Sequence, residues 1–424
     1  MKEHNFFTKY QFGFISGRST TLQLLHVIEE WVEWLDEGGS VDVCYLDFMK
    51  AFDTVPHRRL ASKIRSYGIT GHVLAWIQSF LSNRSQRVHI NGASAEWSVV
   101  TSGIPQGSVL GPLLFVIYIN DLPDKIISRI MLYADDTKIY RRIKSEVDEA
   151  VFQKDIDSLQ DWSDTWLLRF HPDKCKTMSI GQRGILPANY YMTREGGQKQ
   201  VLTRVSSEKD LGVIWDDELN FREEIASRVK KANSIMGVIR RTYVYLDEET
   251  FTLLYKGLVR PHLEYAAPVW DPHYKMDKKL LEGVQRRATR QVPSLRKLPY
   301  EERLRQLRLP TLRYRRLRGD LIEAYKMLNG LYDDGVGQLL EISEDRNTRG
   351  HSLKLKKRTG KTVLKQNSFS LRIFKDWNSL TEEIVTAPSL NAFKNRLDAL
   401  WKNHPIKYEW DAEHGNLALH AGAQ

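Results

Sequence analysis

Hydrophobic positions near the start of the chain follow first helical and then strand spacing. From Leu22 to Leu35, apolar residues recur every three or four positions, which predicts an amphipathic helix. Ser19 stands where its hydroxyl can cap the start of this helix. A mostly apolar run over residues 41–46 then predicts a buried strand, and Asp47 follows directly at its end.

The same patterns predict a mixture of helices and strands further along. We expect helices at 57–67, 71–81, 112–119 and 147–166, hairpins over 87–100 and 130–140, and strands at 175–180 and 199–205. From Phe221 onward the periodicity is mostly helical. This order predicts an α+β fold with an antiparallel sheet and packed helices, followed by a mainly α-helical region. Loops rich in Pro and Gly near 184–197 and 329–337 are candidate boundaries.

Three carboxylates interrupt this apolar pattern. Asp135 and Asp136 stand side by side in the segment 130–140, and Asp47 ends the strand described above. Buried carboxylates are costly unless a cation meets them, and a hard divalent ion is a common answer. Two such ions can clamp the attacking and leaving oxygens of a phosphoryl displacement. Taken alone, the Asp135-Asp136 pair is also typical of a solvated turn. Asp47 alone could equally cap the helix that follows it.

Longer motifs narrow these alternatives. Four segments, in order, resemble the palm of a reverse transcriptase: Leu46-Asp47-Phe48, Ala51-Phe52-Asp53, Gly103-Ile104-Pro105-Gln106-Gly107 and Tyr133-Ala134-Asp135-Asp136. Other segments resemble those of non-LTR (LINE-type, jockey-like) retrotransposons: Gln11-Phe12-Gly13-Phe14, Gly17-Arg18-Ser19-Thr20, Lys209-Asp210-Leu211-Gly212-Val213, the residues from Pro261 to Trp270, Asp376-Trp377-Asn378-Ser379-Leu380 and Ser389-Leu390-Asn391-Ala392-Phe393-Lys394. The resemblance therefore runs nearly from end to end.

The resemblance implies a domain order. Residues 1–185 would form partial fingers and the polymerase palm, 186–260 the end of the palm and a thumb-like region, and 261–424 a basic, mainly helical C-terminal region. The family's fingers begin further upstream and an endonuclease is absent, so the chain is expected to be a truncated element or partial gene product. The alternatives are a catalytically inactive remnant that only binds nucleic acid, and a related palm enzyme such as an intron maturase or telomerase-like polymerase.

The resemblance also implies an activity, that of an RNA-directed DNA polymerase. It would extend a DNA 3′-hydroxyl on an RNA template with deoxynucleoside triphosphates, using two Mg²⁺ ions, with Mn²⁺ as a substitute. Asp47 and Asp135 would be the main metal ligands, and Asp136 the less essential partner.

Further site residues follow from the same motifs. Phe52 would exclude the 2′-hydroxyl of a ribonucleotide, the alternative being a core phenylalanine. Gln106 and Gly107 would contact the templating pair and the incoming nucleotide, the alternative being an ordinary loop before a helix. A lysine near the leaving pyrophosphate would be Lys176 in preference to Lys174, the alternative being a solvated surface lysine.

Composition agrees with a protein that is neither secreted nor membrane-spanning. Hydrophobic residues make up 42% and charged residues 27%, and no apolar run is long enough to cross a bilayer. The polar start predicts no secretory signal, so we expect the nucleus and cytoplasm. Two cysteines, Cys44 and Cys175, are too few for a disulfide framework or a structural zinc site. The pattern makes no prediction of oligomeric state.

Positive charge is concentrated in the second half. Residues 1–220 hold 25 Lys and Arg against 28 Asp and Glu, net −3, whereas residues 221–424 hold 38 against 25, net +13. This asymmetry predicts a polyanionic partner. Twelve of the cations lie between Arg286 and Arg318. The residues predicted to contact nucleic-acid backbone are Arg18, Arg313, Arg315, Arg316 and Arg318. For Arg18 the alternative is a structural ion pair. For the other four arginines the alternatives are a solvated helix face or a nuclear-import signal.

Overall fold

The computed structural model describes residues 6–181, 188–194, 196–333, 339–344 and 350–412. They belong to two compact units. The first comprises residues 1–23 and 37–207, and the second comprises 24–36 and 208–424. The later division between the units falls after residue 207. The boundaries predicted from the sequence fall after residues 185 and 260, and that three-region scheme stays a prediction. Both predicted boundary loops lie partly outside the described residues.

A five-stranded sheet organises the first unit. Its central strand, β1 (Ser40–Leu46), pairs antiparallel with β7 (Asp136–Ile143) on one side and β8 (Lys176–Ile180) on the other. β6 (Arg129–Tyr133) pairs antiparallel with β7, and β11 (Thr203–Arg204) adds a short parallel edge to β8. All seven residues of β1 are buried, as expected for a strand covered on both faces.

Helices cover this sheet. The helix predicted after Ser19 is α1 (Thr20–Asp36), whose residues up to Gln23 belong to this unit and whose remaining residues belong to the second unit. The Ser19 hydroxyl accepts a hydrogen bond from the Leu22 backbone N–H at 3.2 Å. The other helices of the unit are α2 (Ala51–Thr54), α3 (His57–Ser66), α4 (Gly71–Leu81), α5 (Leu110–Ile119) and α6 (Glu146–Trp166). Helix α5 is apolar nearly all round and its last six residues are buried, so it serves as the centre of the core.

Short strand pairs complete the first unit. They are β2 (Arg84–Gln86) with β5 (Ser98–Val100), β3 (His89–Ile90) with β4 (Ala93–Ser94), and β9 (Tyr191–Thr193) with β10 (Lys199–Val201). Two details differ from the sequence predictions. The Asn91-Gly92 turn, with both residues at positive φ, closes only the two-residue pair β3–β4. The strand predicted over 199–205 is interrupted at Leu202, which is buried and donates its N–H to the Tyr190 carbonyl at 2.8 Å.

The second unit is mainly helical, as predicted from Phe221 onward. A short strand pair, β12 (Ser207–Asp210) with β13 (Val213–Asp216), precedes the helices that follow residue 221. The helices are α7 (Arg222–Thr242), α8 (Glu248–Leu254), α9 (Arg260–Glu264), α10 (Ala267–Trp270), α11 (Lys275–Thr289), α12 (Tyr300–Leu307), α13 (Leu312–Leu328), α14 (Val363–Gln366), α15 (Phe369–Arg372), α16 (Phe374–Asn378), α17 (Glu382–Val385) and α18 (Leu390–Leu400). Among the described residues, no helix has the length and apolarity needed to cross a bilayer.

Candidate active site

The three predicted carboxylates lie at one end of the sheet. β1 ends at Leu46, which is in register with Thr137 of β7, so the next residue, Asp47, reaches the level of Asp136. Tyr133 pairs with Asp136, leaving Ala134 and Asp135 as a two-residue turn between β6 and β7. Ala134 adopts a left-handed φ of 54° to close this turn. The turn is therefore what brings Asp135 to the end of β1.

Asp47 and Asp135 interact electrostatically. Burial raises the pKa of the Asp135 carboxyl and the nearby charge of Asp47 adds to this rise, although a hydrogen bond from the backbone N–H of Asp135 itself acts in the opposite direction. The Oδ2 atom of Asp47 is buried and receives no hydrogen bond from the described residues, although Lys174 Nζ lies 3.3 Å away. Two neighbouring carboxylates with incomplete compensation suit a divalent cation, which would lower the cost of keeping both ionised.

Asp136 is placed differently. It opens β7 and its side chain is exposed, whereas Asp135 is half-buried. Within the described part of the chain, no three His, Cys, Asp or Glu side chains converge closely enough to form a metal site by themselves. Asp47 and Asp135 are thus the residues that fit a divalent ion, and its remaining ligands would come from water and substrate phosphates.

The Asp135 turn is supported by a segment near the start of the chain. The fully buried Gln11 side chain uses its Oε1 atom to accept hydrogen bonds from Gly13 N–H at 2.7 Å and Ala134 N–H at 2.9 Å. The backbone N–H of Phe12 donates to the Leu132 carbonyl at 2.8 Å, and the Leu132 N–H donates to the Tyr10 carbonyl at 2.9 Å. Residues 10–12 therefore act as an extra strand beside β6.

Gly13 allows this segment to approach the turn closely. A Cβ atom at this position would lie 2.4 Å from the Ala134 nitrogen, a distance that backbone atoms do not tolerate. Gln11 and Gly13 belong to the motif Gln11-Phe12-Gly13-Phe14, but the sequence predicts no role for either residue in the site. Their function depends on contacts with a turn more than a hundred residues away. In the sequence, only their place in the family motif indicates that these two residues matter.

Arg18, predicted to contact the template backbone, makes intramolecular bonds. Its Nη1 donates to the carbonyl oxygens of Thr8 at 2.8 Å and Gln11 at 2.5 Å. The guanidinium also lies 5.9 Å from the centre of the Phe12 ring. These contacts hold the segment that supports the Asp135 turn, which is a structural role; template contact stays a prediction.

The two candidate lysines are distinguished by their contacts. Lys174 forms the ion pair with Asp47 described above, whereas Lys176 lies in β8 opposite Tyr45. The loop before β8 is fixed to the site because the His171 N–H donates to the Asp47 carbonyl at 2.8 Å. The structure thus brings Lys174 to the carboxylates, and the preference for Lys176 near the pyrophosphate stays a prediction.

The predicted nucleotide-contacting residues lie together on a second pair of segments. The Ile104 N–H donates to the Phe52 carbonyl at 2.7 Å, and Gln106 Nε2 donates to Asp53 Oδ1 at 3.1 Å. The Phe52 ring is half-buried and stacks on Phe115 of α5, with ring centres 4.4 Å apart. Phe52 is therefore part of the core packing, and exclusion of the 2′-hydroxyl would fall to its remaining exposed surface.

Gly107 lies at the exposed end of the same loop. It adopts a φ of 79°, a left-handed conformation that favours glycine. A Cβ atom there would meet nothing within 4 Å. The backbone at Gly107 is thus open to the approach of a ligand, as its predicted role requires.

The predicted nucleic-acid-binding arginines of α13 are largely engaged within the second unit. Arg315 makes a two-point contact with Glu264, both N–O distances being 2.8 Å, and Arg318 makes one with Asp398 at 2.6 and 2.7 Å. Arg316 lies 2.5 Å from Asp271 and is buried. Arg313 donates to the carbonyls of Trp410 and Ala412. These contacts give Arg315, Arg316 and Arg318 a structural role.

Known proteins resemble this chain in sequence. A family model described as reverse transcriptase (RNA-dependent DNA polymerase) matches residues 1–221, just over half of the chain. The RNA-directed DNA polymerase from mobile element jockey of Drosophila funebris is 30% identical over 62% of this chain and 29% of its own length. The probable RNA-directed DNA polymerase from transposon X-element of Drosophila melanogaster is 26% identical over 66% of this chain and 31% of its own length.

The chain thus spans about a third of the length of these relatives. A structure of telomerase from Candida albicans aligns with 67% of this chain and 52% of that chain, with a TM-score of 0.38 and 11% identity. The family match covers the sheet, the carboxylates and the Gln11 segment alike. The chain therefore belongs to the reverse transcriptase family, with an α+β polymerase fold, and is similar to the RNA-directed DNA polymerases of jockey-like non-LTR retrotransposons.

Proposed function

We propose that this chain carries the polymerase chemistry of a non-LTR retrotransposon: extension of a DNA 3′-hydroxyl on an RNA template with release of pyrophosphate. The observation that supports it best is the position of Asp47 beside Asp135 at one end of the sheet, where burial and the charge of Asp47 disfavour the ionised form of Asp135 and a bound cation would favour it. Family membership supports the same activity.

In this proposal Asp47 and Asp135 hold divalent ions, Mg²⁺ by preference and Mn²⁺ as a substitute, and the exposed Asp136 contributes less. When bound, the ions stabilise charge on the attacking and leaving oxygens. The two carboxylates can orient the ions because Asp47 directly follows the end of β1 and Asp135 lies in the tight turn between β6 and β7. Gln11 keeps that turn in place through Ala134.

Other residues would act on the nucleotide. Lys174 supplies positive charge beside Asp47, where it can interact with the pyrophosphate as it leaves, and Lys176 stays a second candidate. Phe52, held by Phe115, limits space at the sugar, while Gln106 and Gly107 present a side chain and open backbone to the base pair.

The partners of this activity are an RNA template, a DNA primer or target, and deoxynucleoside triphosphates. The net charge of +13 over residues 221–424 supports electrostatic attraction of a nucleic acid to the second half. A protein acting on such substrates would work in the nucleus after synthesis in the cytoplasm.

The test is primer extension by the purified chain on poly(rA) annealed to oligo(dT), with Mg²⁺ and with the metal chelated. Extension that requires both the RNA template and the metal is expected. Template binding without any extension at saturating Mg²⁺ would contradict the proposal and would favour a protein that only binds nucleic acid.

A further inference from the structure

Charged side chains make up eight of the twelve residues that line a cavity of about 290 Å³ in the second unit. They come from the residue after α10, from α11, from α13, and from the α15–α16 region. The proposed polymerase chemistry does not use this cavity. Its lining holds five Lys and Arg side chains against three Asp side chains. The charges therefore do not balance in number, and how they are paired decides what the cavity can bind.

Two of the three carboxylates are already matched by arginines. Arg316 lies 2.5 Å from Asp271. Arg372 makes a two-point contact with Asp320, with N–O distances of 2.9 and 2.8 Å. The third carboxylate, Asp376, is buried and engaged in an interaction of its own. Asp271 and Asp320 are thus occupied by arginines of the cavity wall, and the other cations of the lining form no ion pair with them.

Three cations on the lining have no carboxylate within ion-pair distance among the described residues: Lys278, Arg313 and Lys375. Arg313 donates only to backbone carbonyls, those of Trp410 at 3.3 Å and Ala412 at 2.6 Å. Lys375 is exposed, and Lys278 is half-buried. The lining thus keeps an excess of two positive charges even when Asp376 is counted, and such an excess attracts an anion rather than a metal or an apolar ligand.

The electrostatics of Lys278 point the same way. Burial lowers the pKa of its ammonium group, and the charges of Arg313, Arg316 and Arg372 lower it further, although Asp271 acts in the opposite direction. Burial also lowers the pKa of His273 on the same lining, with Lys278 adding to the effect. An anion in the cavity would remove this repulsion, so its binding should be favoured.

We propose that this cavity binds a phosphate group through Lys278, Arg313 and Lys375. Phosphate offers several acceptor oxygens and matches both guanidinium and ammonium donors. The phosphate could be that of a nucleic-acid backbone or a free ion such as pyrophosphate, and both share the chemistry recognised here. Binding at this site does not require the polymerase chemistry, so it can succeed or fail independently of the function proposed above.

The substitutions Lys278→Gln and Lys375→Gln test the site. Each removes a charge but keeps a polar side chain, and because burial disfavours the Lys278 charge, Lys278→Gln should not lower stability. Lys279→Gln is the matched control, since Lys279 is an exposed neighbour on α11 and does not line this cavity. A thermal melt of each variant checks that the fold is kept.

Binding would be measured by anisotropy of a fluorescent single-stranded RNA in EDTA, over a salt series, and by calorimetry with inorganic pyrophosphate. For backbone binding, each cavity variant should flatten the slope of log K against log salt by about 0.7, and the control should not. For a free-ion site, the variants should weaken pyrophosphate binding severalfold with the RNA slope unchanged. The proposal is overturned if the cavity variants match the control with both probes.

Discussion

Gln11 Oε1 lies 2.9 Å from the backbone nitrogen of Ala134, the residue immediately before Asp135. The two residues are 123 positions apart in sequence. Because Oε1 also accepts from Gly13 N–H, the amide orientation is fixed by two donors. A motif near the start of the chain thus holds in place the turn that carries a proposed metal ligand.

The first prediction concerns this support. Gln11→Leu keeps the size of the side chain but leaves two buried N–H groups without acceptor, which should cost at least about 1 kcal/mol of unfolding free energy. Displacement of Asp135 should lower the primer-extension rate by as much as about a hundredfold. Urea unfolding and single-turnover extension measure the two effects.

Its controls are Gln11→Glu and Gln23→Leu. The glutamate keeps acceptor oxygens but buries an unpaired charge, so it should recover the lost stability only at a pH low enough to protonate it. Gln23 Nε2 donates to the Leu132 carbonyl, which still accepts from Phe12 N–H when Gln23 is replaced, so its loss should matter less to extension. Equal effects of Gln11→Leu and Gln23→Leu on extension would show that Gln11 has no special part in placing the turn.

The second prediction is that Gly13→Ala is disruptive while another glycine substitution is not. The new Cβ would lie 2.4 Å from the Ala134 nitrogen, so the strand or the turn must move. Gly237, within α7, has open space around it, and Gly237→Ala should stabilise by about 0.5–1 kcal/mol. Melting temperatures compare the two, and a neutral Gly13→Ala would disprove the close packing.

The third prediction separates the two roles of Phe52. Phe52→Val should raise ribonucleotide incorporation relative to deoxynucleotide, and loss of the Phe115 stack should cost about 0.5–1.5 kcal/mol. Phe115→Leu removes the same stack but keeps the Phe52 ring, so it should shift the incorporation ratio less than Phe52→Val does at a similar cost in stability. An unaltered ratio in Phe52→Val would mean that the ring only packs the core.

The fourth prediction concerns Arg315. A double-mutant cycle of Arg315→Ala and Glu264→Ala should show a coupling of about 0.5–3 kcal/mol in unfolding free energy, since the two side chains make two hydrogen bonds. RNA affinity should keep its salt slope in Arg315→Ala. If the slope instead falls by about 0.7 while stability is unchanged, Arg315 contacts nucleic-acid phosphate and its ion pair is incidental.

The sequence predicted the elements better than the contacts. Apolar spacing located α1 and β1 to within a few residues, because burial of one face imposes its period directly. The family motifs placed Asp47 and Asp135 at one site. What the sequence did not show is which residues pair at a distance: Arg315 forms an ion pair with Glu264, 51 residues away, and Lys174 forms one with Asp47. Such partners depend on how the elements pack, which a charge pattern along the chain does not specify.

The most direct measurement compares primer extension by the parent chain with Asp47→Asn, Asp135→Asn and Asp161→Asn on the same RNA template. The first two substitutions keep side-chain size but remove a proposed metal-binding charge, and each should lower extension by about a hundredfold or more. Asp161 is an exposed carboxylate of α6, and its replacement should leave extension unchanged. Near-parental extension by either Asp47→Asn or Asp135→Asn would contradict the proposed site.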